Sequence, residues 1–371
     1  MLGRVPSALG SRAPEVAPRR LVSRPVAASV SRTPIQDLFG IITPSDLHFE
    51  RHHAGVPTIA ADEHELLIHG MVDRPKVFRM ADLHRLPSVT RTCFIECGGQ
   101  GAGISDPTNM PTERTPQQLD GLLSTSEWTG VPLSTVLREV GIRDAASWLL
   151  AEGRDAAVMS RSIPIGKALD DALLAYGQNG EPVRPEQGYP VRLLLPGWEG
   201  NTQVKWLRRI EVTDRPTMTR DETSRYTEPL GDGTARQFSF VMEAKSLITF
   251  PSYPFVLPER GWWEIRGLAW SGRGRIQRVD VSTDLGRTWT PAEIQAPVLS
   301  KAPVRFRHLW DWDGSETVIL SRAVDETGYV QPTLQQLLDA RGVGTGYHMN
   351  HIRAWHIAND GSVTFGLGAL Q

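Results

Sequence analysis

Two patterns of apolar and polar positions divide the chain. Up to about Thr213, short apolar runs alternate with amphipathic stretches: Leu66-Leu67-Ile68-His69-Gly70 and Arg192-Leu193-Leu194-Leu195-Pro196-Gly197 predict strands closed by glycine turns. Leu133 to Gly141 places apolar residues at i, i+3, i+4 and i+7 and then a glycine, which predicts a helix with its C-cap at Gly141. Gly166 to Leu174 predicts a second helix. These elements interleave without a regular βαβ rhythm, so this part is expected to be a mixed α+β domain. Beyond the polar stretch Asp214 to Gln237 the helical pattern fades. Trp262 to Trp270, Ile276 to Ser282 and Thr317 to Val324 alternate or run apolar at strand length, between Gly, Asp and Pro. Short strands at this spacing predict an all-β sandwich of about 130 residues. The expected organisation is a leader at 1–34, a first domain at 35–215, a link at 216–235 and the sandwich at 236–371.

Composition narrows the classes. With 371 residues, 40% hydrophobic and 22% charged, the chain can bury two cores without covalent staples. A net charge of −2 gives no overall reason to expect a nucleic-acid partner. Two cysteines exclude a disulfide-rich scaffold and a four-thiolate zinc site. No apolar run is long enough for a transmembrane helix. Residues 1–34 carry Arg4, Arg12, Arg19, Arg20, Arg24 and Arg32 against the single acid Glu15, a composition expected to stay disordered. Arg19-Arg20 invites a twin-arginine export reading, but Leu21-Val22-Ser23-Arg24-Pro25 interrupts any apolar segment after it.

The candidate chemistry begins at a thiol. Cys97 ends the strand-like run Arg91 to Glu96 and is followed by Gly98-Gly99, so a bulky partner can approach it. Cys93, four residues earlier, is spaced unsuitably for a disulfide with it and is read as a core residue. By itself Cys97 is either another buried hydrophobe or a ligand or nucleophile. Three further segments carry charge into apolar surroundings. Arg51 and His53 alternate on one side of Phe49-Glu50-Arg51-His52-His53, which suits an oxyanion or a solvated loop. Arg192 opens a very apolar strand, where a charge is either paired or bound to a ligand. Gly200 to Arg209 offers backbone amides and Lys205 to an anion, or is a basic surface strand.

Taken in order, these segments resemble the sulfite oxidase family of molybdenum enzymes. Phe49 to Pro57 is similar to that family's F-x-R-N-H-x-x-x-P segment, with His52 where Asn is usual. Cys97 falls at the cysteine of its C-x-G-N motif. Glu152-Gly153-Arg154-Asp155, Gly188 to Gly197 and Val204-Lys205-Trp206-Leu207 match three more, and Val281 to Trp289 with Arg322 to Asp325 resemble its immunoglobulin-like dimerisation domain. The resemblance implies a molybdopterin-binding domain followed by an immunoglobulin-like sandwich. It also implies a pyranopterin dithiolene carrying molybdenum, without a nucleotide, and Cys97 as the metal ligand. Phe49, Glu50, Arg51, His52, His53, Asp155, Gln187, Arg192, Gln203, Val204 and Lys205 are then expected around the pterin, with Arg51, Arg192 and Tyr226 beside the reaction. The implied reaction transfers oxygen to a reduced sulfur atom and passes electrons on singly. Oxidation of free sulfite is the alternative activity, and a non-catalytic docking module the alternative class. A methionine-sulfoxide type of reductase sharing the cofactor fold is disfavoured by residues 236–371, which such enzymes usually lack.

Within the family, Thr33 to Pro44, Phe49 to Gly55, Arg184 to Arg192 and Met242 to Ser246 resemble the molybdenum subunits of bacterial thiosulfate-oxidising systems. That branch implies an exported protein, a homodimer formed through the C-terminal domain, a c-type cytochrome as partner and sulfane sulfur on a carrier-protein cysteine as substrate. No C-x-x-C-H occurs, so haem is expected on the partner. Gly98-Gly99-Gln100-Gly101-Ala102 lacks the arginines that follow the cysteine in many members, Gln187 stands for a histidine, and Tyr347-His348-Met349-Asn350 offers no arginine. Each missing guanidinium removes a charge-assisted hydrogen bond worth about 1.5–3 kcal/mol, which disfavours the sulfite dianion.

Overall fold

The computed structural model describes residues 6–13, 15, 17–101, 112–342 and 346–367; Ala102 and the first five residues of the expected leader lie outside them. In the first domain, Val89–Glu96, Leu123–Pro132, Leu173–Gln178 and Glu181–Pro182 are successive antiparallel neighbours, and Arg192–Leu194 also pairs with Leu173–Gln178. A second sheet runs Lys76–Arg79, Glu65–Gly70, Leu207–Thr213, Trp148–Gly153, Ser160–Pro164, with Glu65–Gly70 and Leu207–Thr213 parallel. The expected alternation is present in Glu65–Gly70: Leu66 and Ile68 are buried and Leu67 faces outward. The helix Leu133–Val140 buries Leu133, Val136, Leu137 and Val140 and stops at Gly141. The second expected helix is shorter, Ile165–Asp170, because Leu173 and Leu174 enter a buried strand instead.

The unbroken apolar run after Arg192 has a physical cause. Leu193 and Leu195 pack into the main core with Leu66, Ile68 and Val136, while Leu194 points the other way into a smaller core of Phe49, Cys93, Ile95 and Trp128. A strand buried on both faces has no polar side to show. Cys97 packs at the margin of that smaller core.

Two expectations need correction. Residues from Leu21 to Arg32 are not a disordered leader: Leu21–Val22 pairs with Val30–Arg32, which in turn pairs with Glu50–Arg51. Arg20 forms ion pairs with Glu50 and Glu186. Backbone pairing to an open strand edge needs little apolar side-chain area, so composition did not reveal it. Residues 216–235 are not a plain link either. Asp221, Glu222 and Glu228 are buried, and the Glu222 carboxylate accepts from Ser162 Oγ at 3.0 Å.

The second domain pairs two antiparallel sheets: Lys245–Phe250, Gly261–Trp270, Val304–Trp312, Glu293–Gln295, and Thr290–Pro291, Ile276–Ser282, Thr317–Asp325, Ala354–Ile357, Val363–Phe365. Both contribute to one core, including Ile248, Ile265 and Phe306 from the first and Val279, Ile319 and Trp355 from the second. Another cluster, Ile35, Phe94 and Leu123 with Met242, Leu247 and Trp270, joins this domain to the strand that leads to Cys97.

Candidate functional site

Cys97 leaves the strand Val89–Glu96 in a tight turn: its N–H donates to the Leu122 carbonyl at 3.0 Å, and its own carbonyl accepts from Gln100 N–H at 2.9 Å. The thiol faces a cleft between the sheets. Of the residues expected at a site, Phe49, Arg51, His52, His53, Asp155, Gln187, Arg192, Gln203, Val204, Lys205 and Tyr226 all line this cleft with it. Glu50 does not. Its carboxylate lies behind the wall, taken by Arg20 and by His52 Nε2 at 2.7 Å, so it orients His52 instead of meeting a ligand. Sequence reasoning missed His48, Met159 and Asn201, which also line the cleft. Adjacency to Phe49, Asp155 and Gln203 was the available signal.

One end of the cleft holds two cations already engaged with the protein. Lys205 Nζ donates to the carbonyls of Arg51 and Glu186 at 3.2 and 3.0 Å and to His52 Nδ1 at 2.9 Å. The Glu50 carboxylate can only accept, so His52 Nε2 carries the ring proton and Nδ1 accepts from Lys205. Arg192 donates to the carbonyls of Gln187 at 2.9 Å and Gln203 at 3.1 Å, while its Nε has no partner among the described residues. Burial lowers both groups, and Arg192 further lowers its neighbour: Arg192 falls to about 9 and Lys205 to about 7. An anion bound beside them would raise both. Gly188 allows the two to converge; its φ is +113°, and a Cβ there would sit 3.0 and 3.1 Å from those of Arg192 and Lys205.

The other end holds Tyr226 and His53. Tyr226 Oη is 2.8 Å from His53 Nε2, and Arg225 approaches His53 Nδ1 at 3.4 Å. Burial, then Arg51 and Arg225, lower His53 to about 4, so the ring is neutral. Because Arg225 can only donate, Nε2 carries the ring proton and donates to Tyr226, leaving the phenol O–H free to donate into the cleft. Burial and the nearby Cys97 push the phenol well above its ordinary value. Beneath the ring, at 5.1 Å, lies the Arg161 guanidinium, which pairs with Glu199 at 3.3 Å and Glu222 at 3.6 Å. The second domain reaches this floor as well: His348 N–H donates to the Gly98 carbonyl at 2.9 Å, and His348 Nε2 meets Glu199 at 3.2 Å.

Burial also raises the Cys97 thiol, against the lowering effects of the Gly99 N–H and Arg51. A bound cation would reverse this and release the proton. Among the described residues no cluster of three His, Cys, Asp or Glu side chains could hold a metal ion. A metal at Cys97 would find no such set of further ligands among the described side chains, which suits a bound group that brings its own donors. The unpaired, buried Arg192 Nε in the same cleft fits such a polar group.

Comparison with known proteins agrees with this geometry. Residues 53–220 match the oxidoreductase molybdopterin binding domain, and residues 236–354 the Mo-co oxidoreductase dimerisation domain. An NADH nitrate reductase of Ulva prolifera is 30% identical over 80% of this chain and 38% of its own length. The mitochondrial sulfite oxidase of Mus musculus is 30% identical over 85% of this chain and 62% of its own. The chain thus spans less than two thirds of either relative. Sulfite oxidase of Gallus gallus, at 32% identity, is matched over 72% of its length. The crystal structure of the sulfane dehydrogenase SoxCD from Paracoccus pantotrophus superimposes with a TM-score of 0.93 at 44% identity, covering 98% of this chain and 95% of that one. By sequence and by fold, then, the chain belongs to the sulfite oxidase family of molybdopterin oxidoreductases.

Proposed function

We propose that this protein is a molybdenum oxidoreductase acting on reduced sulfur, and that its substrate is sulfane sulfur held on a carrier thiol in preference to free sulfite. The observation that carries the preference is how the cleft's cations are spent. Lys205 and Arg192 donate mainly to backbone carbonyls, and Arg51 donates to the His52 carbonyl. Few charge-assisted donors are left for a free dianion beside Cys97. The 44% identity to a sulfane dehydrogenase supports the same choice.

In this reading Cys97 supplies the chain's one bond to molybdenum. Lys205 would lend its charge to the anionic end of the cofactor, with Phe49, His52, His53, Asp155, Gln187, Arg192, Gln203 and Val204 along its sides. When bound, the molybdenum pterin would supply oxygen-atom transfer to sulfur and take up the two electrons released. Arg51 draws the substrate's negative charge inward, and Tyr226 Oη holds a proton toward the reacting sulfur. Electrons pass to a c-type cytochrome. We read residues 236–371 as an immunoglobulin-like domain that pairs two copies, and the compartment as the periplasm. Among the described residues no helix is long and apolar enough to cross a membrane.

Steady-state turnover of the cofactor-loaded chain, with a c-type cytochrome as acceptor, separates the substrates. Turnover on a persulfide-bearing carrier protein with weak saturation by sulfite is expected; tight saturation by sulfite and silence with the carrier would overturn the preference. Tyr226→Phe removes a phenol O–H at the cleft and keeps the ring on Arg161. Its kcat is expected to fall by roughly a hundredfold, with molybdenum content by elemental analysis unchanged.

A further inference from the structure

His48 lines the cleft but belongs to none of the segments that pointed to it. It is buried, stacked on Phe49 with ring centroids 5.2 Å apart, and edge-on to Trp128 at 5.8 Å. Its Nδ1 lies 3.0 Å from the Phe49 carbonyl. A carbonyl only accepts, so Nδ1 carries the ring proton and Nε2 is a bare lone pair. That Nε2 is buried and has no partner among the described residues. The surroundings would suit a phenylalanine or leucine at this position. An imidazole there leaves a desolvated acceptor with nothing to accept from, which is unfavourable unless a ligand supplies the donor.

The other unpaired group in this cleft wall has the opposite character. Arg192 Nε is a buried donor, and its guanidinium lies 5.1 Å from the same Trp128 ring. A bare acceptor and a bare donor around one indole complement a heterocycle whose edge carries both an N–H and an acceptor atom, as a pterin does. We propose that His48 binds the cofactor, its Nε2 accepting a hydrogen bond from an N–H of the pterin. This rests on the molybdopterin reading above and adds to it a neutral, acceptor-only contact. The cations of the cleft cannot provide one.

The test compares full-length wild type, His48→Phe and His48→Gln, each expressed with and without cofactor supply. Bound pterin and its release rate are followed by fluorescence of the freed, oxidised pterin, and the cofactor-free forms are unfolded in urea. His48→Phe keeps a flat ring and removes the acceptor, so it is expected to release pterin about tenfold faster. Its cofactor-free form should stay close to wild type in stability: an unsatisfied atom has gone, and the Phe49 carbonyl that loses His48 Nδ1–H still accepts from Gln187 at 2.9 Å. His48→Gln places an amide oxygen near the position of Nε2 and is expected to release pterin at close to the wild-type rate. Release from His48→Phe at the wild-type rate would overturn the proposal, as would a cofactor-free His48→Phe destabilised in proportion to its faster release. A wild type that binds no pterin would remove the functional reading and this inference together. A loaded wild type beside an unaffected His48→Phe would remove this inference alone.

Discussion

Cys97→Ser is expected to abolish molybdenum binding and lower turnover by roughly a thousandfold, on the order of 4 kcal/mol in transition-state stabilisation. An alkoxide is a poor substitute for a soft thiolate on a sulfur-rich metal centre. The fold should be indifferent. The thiol is half-buried at the edge of the smaller core, and the turn that holds it uses backbone groups and Gln100. Cys93→Ser is the matching control with the reverse outcome. Cys93 is buried against that core, its thiol pushed by burial up to about 12, so a hydroxyl there would be desolvated without a designed partner. It should cost about 1–3 kcal/mol of stability and leave metal content intact. Elemental analysis and urea unfolding of the two variants decide the matter, and a Cys97→Ser protein that keeps its molybdenum would defeat the assignment.

Much of this site was legible before the fold was known, because the cleft gathers short segments whose residue types are costly to explain otherwise. Arg192 at the mouth of a fully apolar strand and Lys205 after Gly200 to Gln203 are such cases, and the structure places both on one cleft wall. The periodic elements were legible for the usual reason: Leu66 and Ile68 against Leu67, and the four buried positions of Leu133–Val140, are one-dimensional records of which face is buried. What could not be read were pairings between distant segments. Leu21–Val22 and Val30–Arg32 are held by main-chain bonds that leave little trace in side-chain composition. Glu50 was placed at the cleft by its position between Phe49 and Arg51, but Arg20, thirty residues away, claims it. His48 was passed over because a histidine beside a phenylalanine carries no pattern; only its unsatisfied Nε2 marks it.

The last such pairing bears on the proposed metal ligand itself. Glu96, directly before Cys97, lies in a buried quartet with Asp120 of the first domain and Lys245 and Arg353 of the second. Lys245 Nζ is 2.5 Å from Asp120 and 3.3 Å from Glu96, Arg353 holds Asp120 at 3.1 Å, and the Trp270 indole N–H donates to Glu96 at 2.6 Å. Two acids and two bases balance, and all four are shielded from water. Burial alone would raise Asp120, but Arg353 and Lys245 override it and hold the carboxyl below its ordinary range. A depressed carboxylate contributes stability that is present above its unfolded-state pKa and lost as pH falls through the folded one, so the domain contact should weaken in acid. Lys245→Met removes one cation and leaves Glu96 facing a buried deficit, a change expected to cost about 3–5 kcal/mol. Adding Glu96→Gln, which removes the stranded charge while keeping an acceptor for Trp270, should recover a large part of that loss. Urea unfolding of both variants, followed by tryptophan fluorescence, measures this, and equal stability of Lys245→Met and wild type would refute it. Because Gln100 also bonds Glu96 at 2.8 Å, the single variant should exchange the amide hydrogens of Cys97 and Gln100 faster than wild type, whereas the double variant should regain much of their protection.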